Sequence, residues 1–94
     1  MGYYVLTYQV VENFAARRTM YRDNHLRLVR DAHANGQLLL AGAVGDPPDE
    51  ALLVFHSPDR SAAETFAKND PYVREGLVRR WEVRPWAVVV GGDA

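Results

Sequence analysis

The Gly45-Asp46-Pro47-Pro48-Asp49 cluster limits most tightly what this chain can fold into. Two consecutive prolines remove two backbone donors and push the residue before each out of the helical region, so neither a helix nor a strand ladder can cross. Apolar runs stand on both sides, at 37–44 and 51–56. Joined by so short a loop, they form two antiparallel strands of a hairpin. Gly42, inside the first run, suits a bulge or a close approach of another backbone.

The flanking segments extend this hairpin into a domain. Residues 3–10 alternate and are rich in aromatic and β-branched side chains, which predicts a first strand. Its faces are Tyr3/Val5/Thr7/Gln9 and Tyr4/Leu6/Tyr8/Val10, neither cleanly polar. Glu12-Asn13 offers a cap to a helical pattern over 14–35 that Gly36 ends as C′ glycine; 14–20 is alternatively an irregular lead-in. After the hairpin, Ser57-Pro58-Asp59 starts a helix over 61–69 that buries Ala62, Ala63, Phe66 and Ala67. Asp70-Pro71 interrupts it, a turn spans 72–76, and a last strand alternates Trp81, Val83 and Pro85 with Arg80, Glu82 and Arg84. Pro85 assigns that strand to an edge or a bulge.

The order βαββαβ predicts an α+β, ferredoxin-like domain with a four-stranded antiparallel sheet. It occupies the whole chain, 1–94, with a core of about 3–86 and an apolar tail at 87–94 expected to pack on a neighbouring subunit. Two helices cover only one sheet face, yet both faces carry apolar residues. A second copy packed sheet to sheet answers this, giving a homodimer through the open face, a dimeric α/β barrel.

Composition narrows the function classes. The 94 residues include no cysteine, which removes disulfides and thiolate metal sites. Eleven basic and twelve acidic residues are mixed along the chain, which argues against nucleic acid as a partner. No apolar run approaches the roughly 18 residues of a membrane span and no basic n-region opens the chain, so a cytoplasmic protein with no membrane partner is expected. The three histidines show neither HxH nor HxxxH spacing, so no metal site is expected. Phosphate-cradling glycine loops and nucleophile elbows are absent.

The feature that bears chemistry is His25. Wound at about 100° per residue, the first helix places Tyr21, Leu28, Val29 and Ala32 within about 60° of His25. A titratable ring therefore sits on the stripe that should face the core, and burying it without a partner costs a few kcal/mol. Arg18 and Arg22 flank it on the same side. On the residues alone, His25 is either a core-edge histidine bonded to a backbone carbonyl or an acid–base group. Asp70 is either a helix cap before Pro71, a partner of His25, or both. Arg22 is either a surface ion-pair partner or a ligand for an acidic substrate. Tyr8, Tyr72 and Trp86 pack in the core or line a pocket for an aromatic substrate.

Taken in order, Arg22-Asp23-Asn24-His25-Leu26, Asn35-Gly36-Gln37-Leu38-Leu39-Leu40-Ala41-Gly42, Asp70-Pro71-Tyr72, Gly76 and Glu82-Val83-Arg84-Pro85-Trp86 resemble the YciI-like (YCII-related) family of small dimeric α/β-barrel proteins. The likeness runs from about Tyr3 to Trp86. Ala43 stands where many members have proline, which alters the rim of the family's cleft. The resemblance implies a His–Asp pair, here His25 and Asp70, lining a cleft for a small-molecule ligand. One branch is a dehydrochlorinase acting on a chlorinated hydroxyquinol, and others are associated with tailoring of aromatic polyketides. The expectation is then a cofactor-free lyase or isomerase acting on a small aromatic or quinonoid molecule. His25 and Asp70 would be catalytic, and Arg22, Tyr72, Tyr8 and Trp86 would bind substrate. The alternatives are a non-catalytic small-molecule-binding module and a cofactor-independent monooxygenase, with haem binding a further property of related architectures.

Overall fold

The computed structural model describes residues 1–92. Its strands are β1 (Gly2–Val10), β2 (Leu38–Val44), β3 (Glu50–Ser57) and β4 (Val78–Trp86). The helices are α1 (Phe14–Arg17), α2 (Arg22–Ala34), α3 (Ser61–Asn69) and α4 (Pro71–Arg74), with a 3₁₀ turn at Arg18–Met20. All pairings are antiparallel in the order β2-β3-β1-β4, the ferredoxin-like α+β arrangement. Pro85 lies on β4, an edge strand, where its missing N–H costs no ladder bond on the solvent side.

Register separates the two sheet faces. Leu6 stands opposite Leu53 and Val83, and Tyr4 opposite Phe55 and Pro85. With Tyr8 and Val10 they form the face that the helices cover. Ala63, Phe66 and Ala67 of α3 pack there, as do Phe14, Tyr72 and Leu77. The other face pairs Val5 with Val54 and Tyr3 with Trp86, and among the described residues no element covers it as the helices cover the first.

One alternative is decided and two local expectations are corrected. Residues 14–20 form the irregular lead-in rather than a continuation of the helix: the segment breaks at the 3₁₀ turn, and Phe14 is buried before the break. Asn13 takes a left-handed conformation (φ 60°) and caps nothing with its side chain; its carbonyl accepts from the amides of Ala16 and Arg17. The irregularity of β2 falls between Leu38 and Leu40 rather than at Gly42, beside which a Cβ would meet no atom within 4 Å.

The far end of α2 follows the sequence closely. Gly36 adopts φ 85°, its amide donates to the His33 carbonyl, and the Gln37 amide donates to the Ala32 carbonyl. These are the two bonds of a Schellman ending, which needs a residue without Cβ penalty at C′. At the start of α3, Asp59 accepts from both the amide and the hydroxyl of Ser61. The tail beyond Trp86 leaves Val89 and Val90 exposed, while Gly92 closes against the Tyr3 ring. Residues 93 and 94 of the tail lie outside the described residues.

Candidate active site

Asp70 is the hub of the site. It has no solvent exposure and occupies the kink between α3 and α4, where Pro71 keeps its backbone extended (φ −70°, ψ 124°). Its Oδ1 accepts from the Tyr72 amide at 3.0 Å, the N-cap bond of α4. Its Oδ2 accepts from the Tyr8 hydroxyl at 2.8 Å. Nδ1 of His25 lies 2.9 Å from Oδ1 and 3.0 Å from Oδ2. Because a carboxylate only accepts, Nδ1 carries the hydrogen and donates, and in the neutral ring Nε2 keeps its lone pair. Capping and pairing with His25 coexist.

Each partner is placed by its element. Leu28, Val29 and Ala32 of α2, with Tyr21 just before it, pack against the core, and His25 sits among them with its side chain 14% exposed. Tyr8 belongs to the helix-facing side of β1 and is fully buried. Burial, then the neighbouring Asp70 charge and its hydrogen bond, push the Tyr8 hydroxyl far above the ordinary tyrosine range, so it stays protonated and donating. The Tyr72 ring stacks on the His25 ring with centroids 3.9 Å apart and planes 12° from parallel. Phe14 meets the other part of Tyr72 edge-on at 5.3 Å. The imidazole is therefore fixed by a carboxylate at one nitrogen and an aromatic face beneath it.

A cleft of about 170 Å³ opens beside this ring. Tyr8, Phe14, Leu26, Val29 and Leu53 provide apolar wall, Ala41 to Ala43 a rim of small residues, and Arg18, Arg22, His25 and Tyr72 its polar groups. The guanidinium of Arg18 stands 5.4 Å above the Phe14 ring. Burial raises the Tyr72 hydroxyl, opposed by the positive charges of Arg22 and Arg18, while Asp70 adds to the rise. A more open groove of about 500 Å³ passes Tyr21, Arg27, Asp31, Asn69 and Arg74. It contains neither His25 nor Asp70.

Of the residues expected at the site, His25, Asp70, Arg22, Tyr72 and Tyr8 come together. Trp86 does not: it stands opposite Tyr3 on the open sheet face, 48% exposed. Arg18, which helical spacing set beside His25 without a binding role, lines the cleft, and the hydroxyl contact of Tyr8 was not anticipated. The alternation of β1 carried a signal for the latter, since a tyrosine in line with Leu6 and Val10 needs a buried acceptor. The other two histidines have structural partners: Nδ1 of His33 is 2.8 Å from the Leu38 carbonyl, and His56 stacks on Tyr3. Among the described residues no three His, Asp or Glu side chains are grouped to hold a metal ion.

A model of the YCII-related domain matches residues 1–87. The chain belongs to that family. An uncharacterized protein of Haemophilus influenzae is 31% identical to this YCII-related domain, over 93% of this chain and 98% of the relative. Among solved structures, the 5-chloro-2-hydroxyhydroquinone dehydrochlorinase of Burkholderia phenoliruptrix, in complex with 2,5-dihydroxybenzoquinone, superposes with a TM-score of 0.74. It is 16% identical and the match covers 90% of this chain and 93% of that one. An antibiotic biosynthesis monooxygenase superposes at 0.58, with 14% identity over 96% of this chain and 100% of the other. At these identities the superpositions establish that the YCII-related domain shares their fold.

Proposed function

We propose that this YCII-related domain is a cofactor-free acid–base enzyme, a lyase or isomerase, that acts on a small aromatic or quinonoid molecule. One observation carries the reading: Nδ1 of His25 is tied to a fully buried carboxylate that two further donors hold in place, and the ring borders a cleft. In that arrangement Nε2 is the proton acceptor, and Asp70 steadies the imidazolium that forms. The cleft suits a single ring, and its arginines suit a substrate with acidic character. The fold shared with the dehydrochlorinase supports a ring substrate of that kind.

Two copies pair through the open sheet face in this reading. Leu40 (71% exposed), Leu52 (38%) and Val44 (42%) lie there beside Val5 and Val54, an apolar surface that water disfavours.

The test is chloride release from 5-chloro-2-hydroxyhydroquinone, together with solvent-deuterium incorporation into a panel of small enolisable rings followed by NMR. Wild-type protein should turn over at least one compound, and His25→Asn should lower the rate by about 10²–10⁴-fold while remaining folded. Equal rates in the two proteins would refute the acid–base assignment. Stoichiometric binding without reaction would point to a binding module, and oxygen consumption to a monooxygenase.

A further inference from the structure

Tyr72 carries a group that its packing does not use. The side chain is 3% exposed, and its ring is engaged by His25 on one face and Phe14 at the edge. A phenylalanine would make both ring contacts. The hydroxyl is buried and has no hydrogen-bond partner; the Arg22 guanidinium approaches it without completing a bond of good geometry. Buried polar groups left unpaired are rare and call for an explanation. Neither Arg22 nor Arg18 is paired with a carboxylate among the described residues, although both border the same cleft. One unpaired donor and two uncompensated cations thus meet beside the face of the cleft that holds His25.

We propose that the Tyr72 hydroxyl, with the guanidiniums of Arg22 and Arg18, forms an oxyanion-binding end of the cleft, so that the substrate is a single-ring compound presenting a phenolate or enolate oxygen there. The inference rests on the acid–base reading of His25 and adds to it the class of substrate. In the proton-transfer step, Nε2 of His25 takes a hydrogen from a carbon next to a carbonyl. The C–H electron pair becomes a C=C bond, and the carbonyl pair moves onto oxygen. Tyr72 donates to that oxygen and the two cations balance its charge. In isomerisation the carbonyl re-forms as another carbon of the conjugated system takes the proton from Nε2. In elimination the oxygen pair re-forms the carbonyl, the C=C pair shifts to break the bond to a leaving anion on the next carbon, and Nε2 gives its proton to solvent. Burial favours the neutral hydroxyl of Tyr72, which keeps it a donor through the step.

The probe is 4-nitrophenol, whose ionised form has its own visible absorption band, titrated with the full chain below the pH at which the free dye ionises. Wild-type protein should bind the phenolate, so the band grows with added protein. Tyr72→Phe and the exposed Arg22→Gln should each weaken binding about tenfold. No binding, binding of the neutral phenol, or Tyr72→Phe and Arg22→Gln proteins that bind like wild type would overturn the proposal. Phenolate binding lost in Tyr72→Phe, with turnover unchanged in His25→Asn, would remove only the acid–base reading. A dead His25→Asn enzyme with unaltered phenolate binding in Tyr72→Phe would remove only the oxyanion end.

Discussion

Asp70 presents both carboxylate oxygens to the same nitrogen of His25, at 2.9 and 3.0 Å, while taking a third and a fourth contact from Tyr72 and Tyr8. An asparagine in its place keeps one acceptor oxygen and turns an NH₂ group toward donors. Asp70→Asn should therefore lower stability by about 2–3 kcal/mol, read as a drop in the urea midpoint, because buried donors are left facing a donor. An unchanged midpoint would mean that the carboxylate's network contributes nothing to the fold.

Tyr8→Phe removes one donor from Asp70 without removing ring volume. The expected cost is about 1.5–3 kcal/mol, the range for hydrogen bonds to charged groups. The same residue predicts alkaline behaviour. Its folded-state pKa is raised, so at high pH the unfolded chain loses the phenolic proton first and binds fewer protons than the native state. The stabilisation is complete below about pH 10, the unfolded tyrosine value, and falls above it by up to about 1.4 kcal/mol per pH unit. Tyr8→Phe should flatten that fall in denaturation curves collected from neutral to strongly alkaline pH.

On the open face, Val54 lies at the centre of the sheet, paired with Val5 on one side and Leu40 on the other. Val54→Arg should yield monomers by sedimentation velocity where wild type sediments as a dimer, since a charge buried in an apolar interface costs several kcal/mol. Wild-type protein that sediments as a monomer at micromolar concentration would refute the proposed pairing.

Gly36→Ala tests the end of α2 in isolation. No atom lies within 4 Å of the added methyl, so the effect is the backbone penalty at φ 85° alone. A loss of about 1 kcal/mol in chemical denaturation is expected, with little change in ligand binding.

Much of the fold was legible because its signals are local. The Asp46-Pro47-Pro48 breaker, the Gly36 ending and the Asp70-Pro71 kink each fix backbone conformation within a few residues, and the strands alternate around them. The break at Arg18–Met20 was harder to read. No glycine or proline marks it, and tertiary burial of Phe14 beneath Tyr72 and Arg18 accompanies it instead. At the site, helical spacing placed His25 on the buried stripe, and the family likeness supplied Asp70. The role of Tyr8 depends on a contact between residues 62 apart, which no local pattern encodes. Trp86 shows the opposite limit: aromatic character alone did not say which sheet face it occupies, whereas the strand register does.

The N-cap bond from the Tyr72 amide to Asp70 makes local order reportable at the His25–Asp70 pair. That amide can exchange with solvent only when α4 lets go of the carboxylate that also holds His25. Hydrogen exchange at one backbone position thus counts the fraction of molecules in which the His25 ring is unaligned. Under the proposed function, the slowest-exchanging preparations should be the ones with the highest activity per molecule.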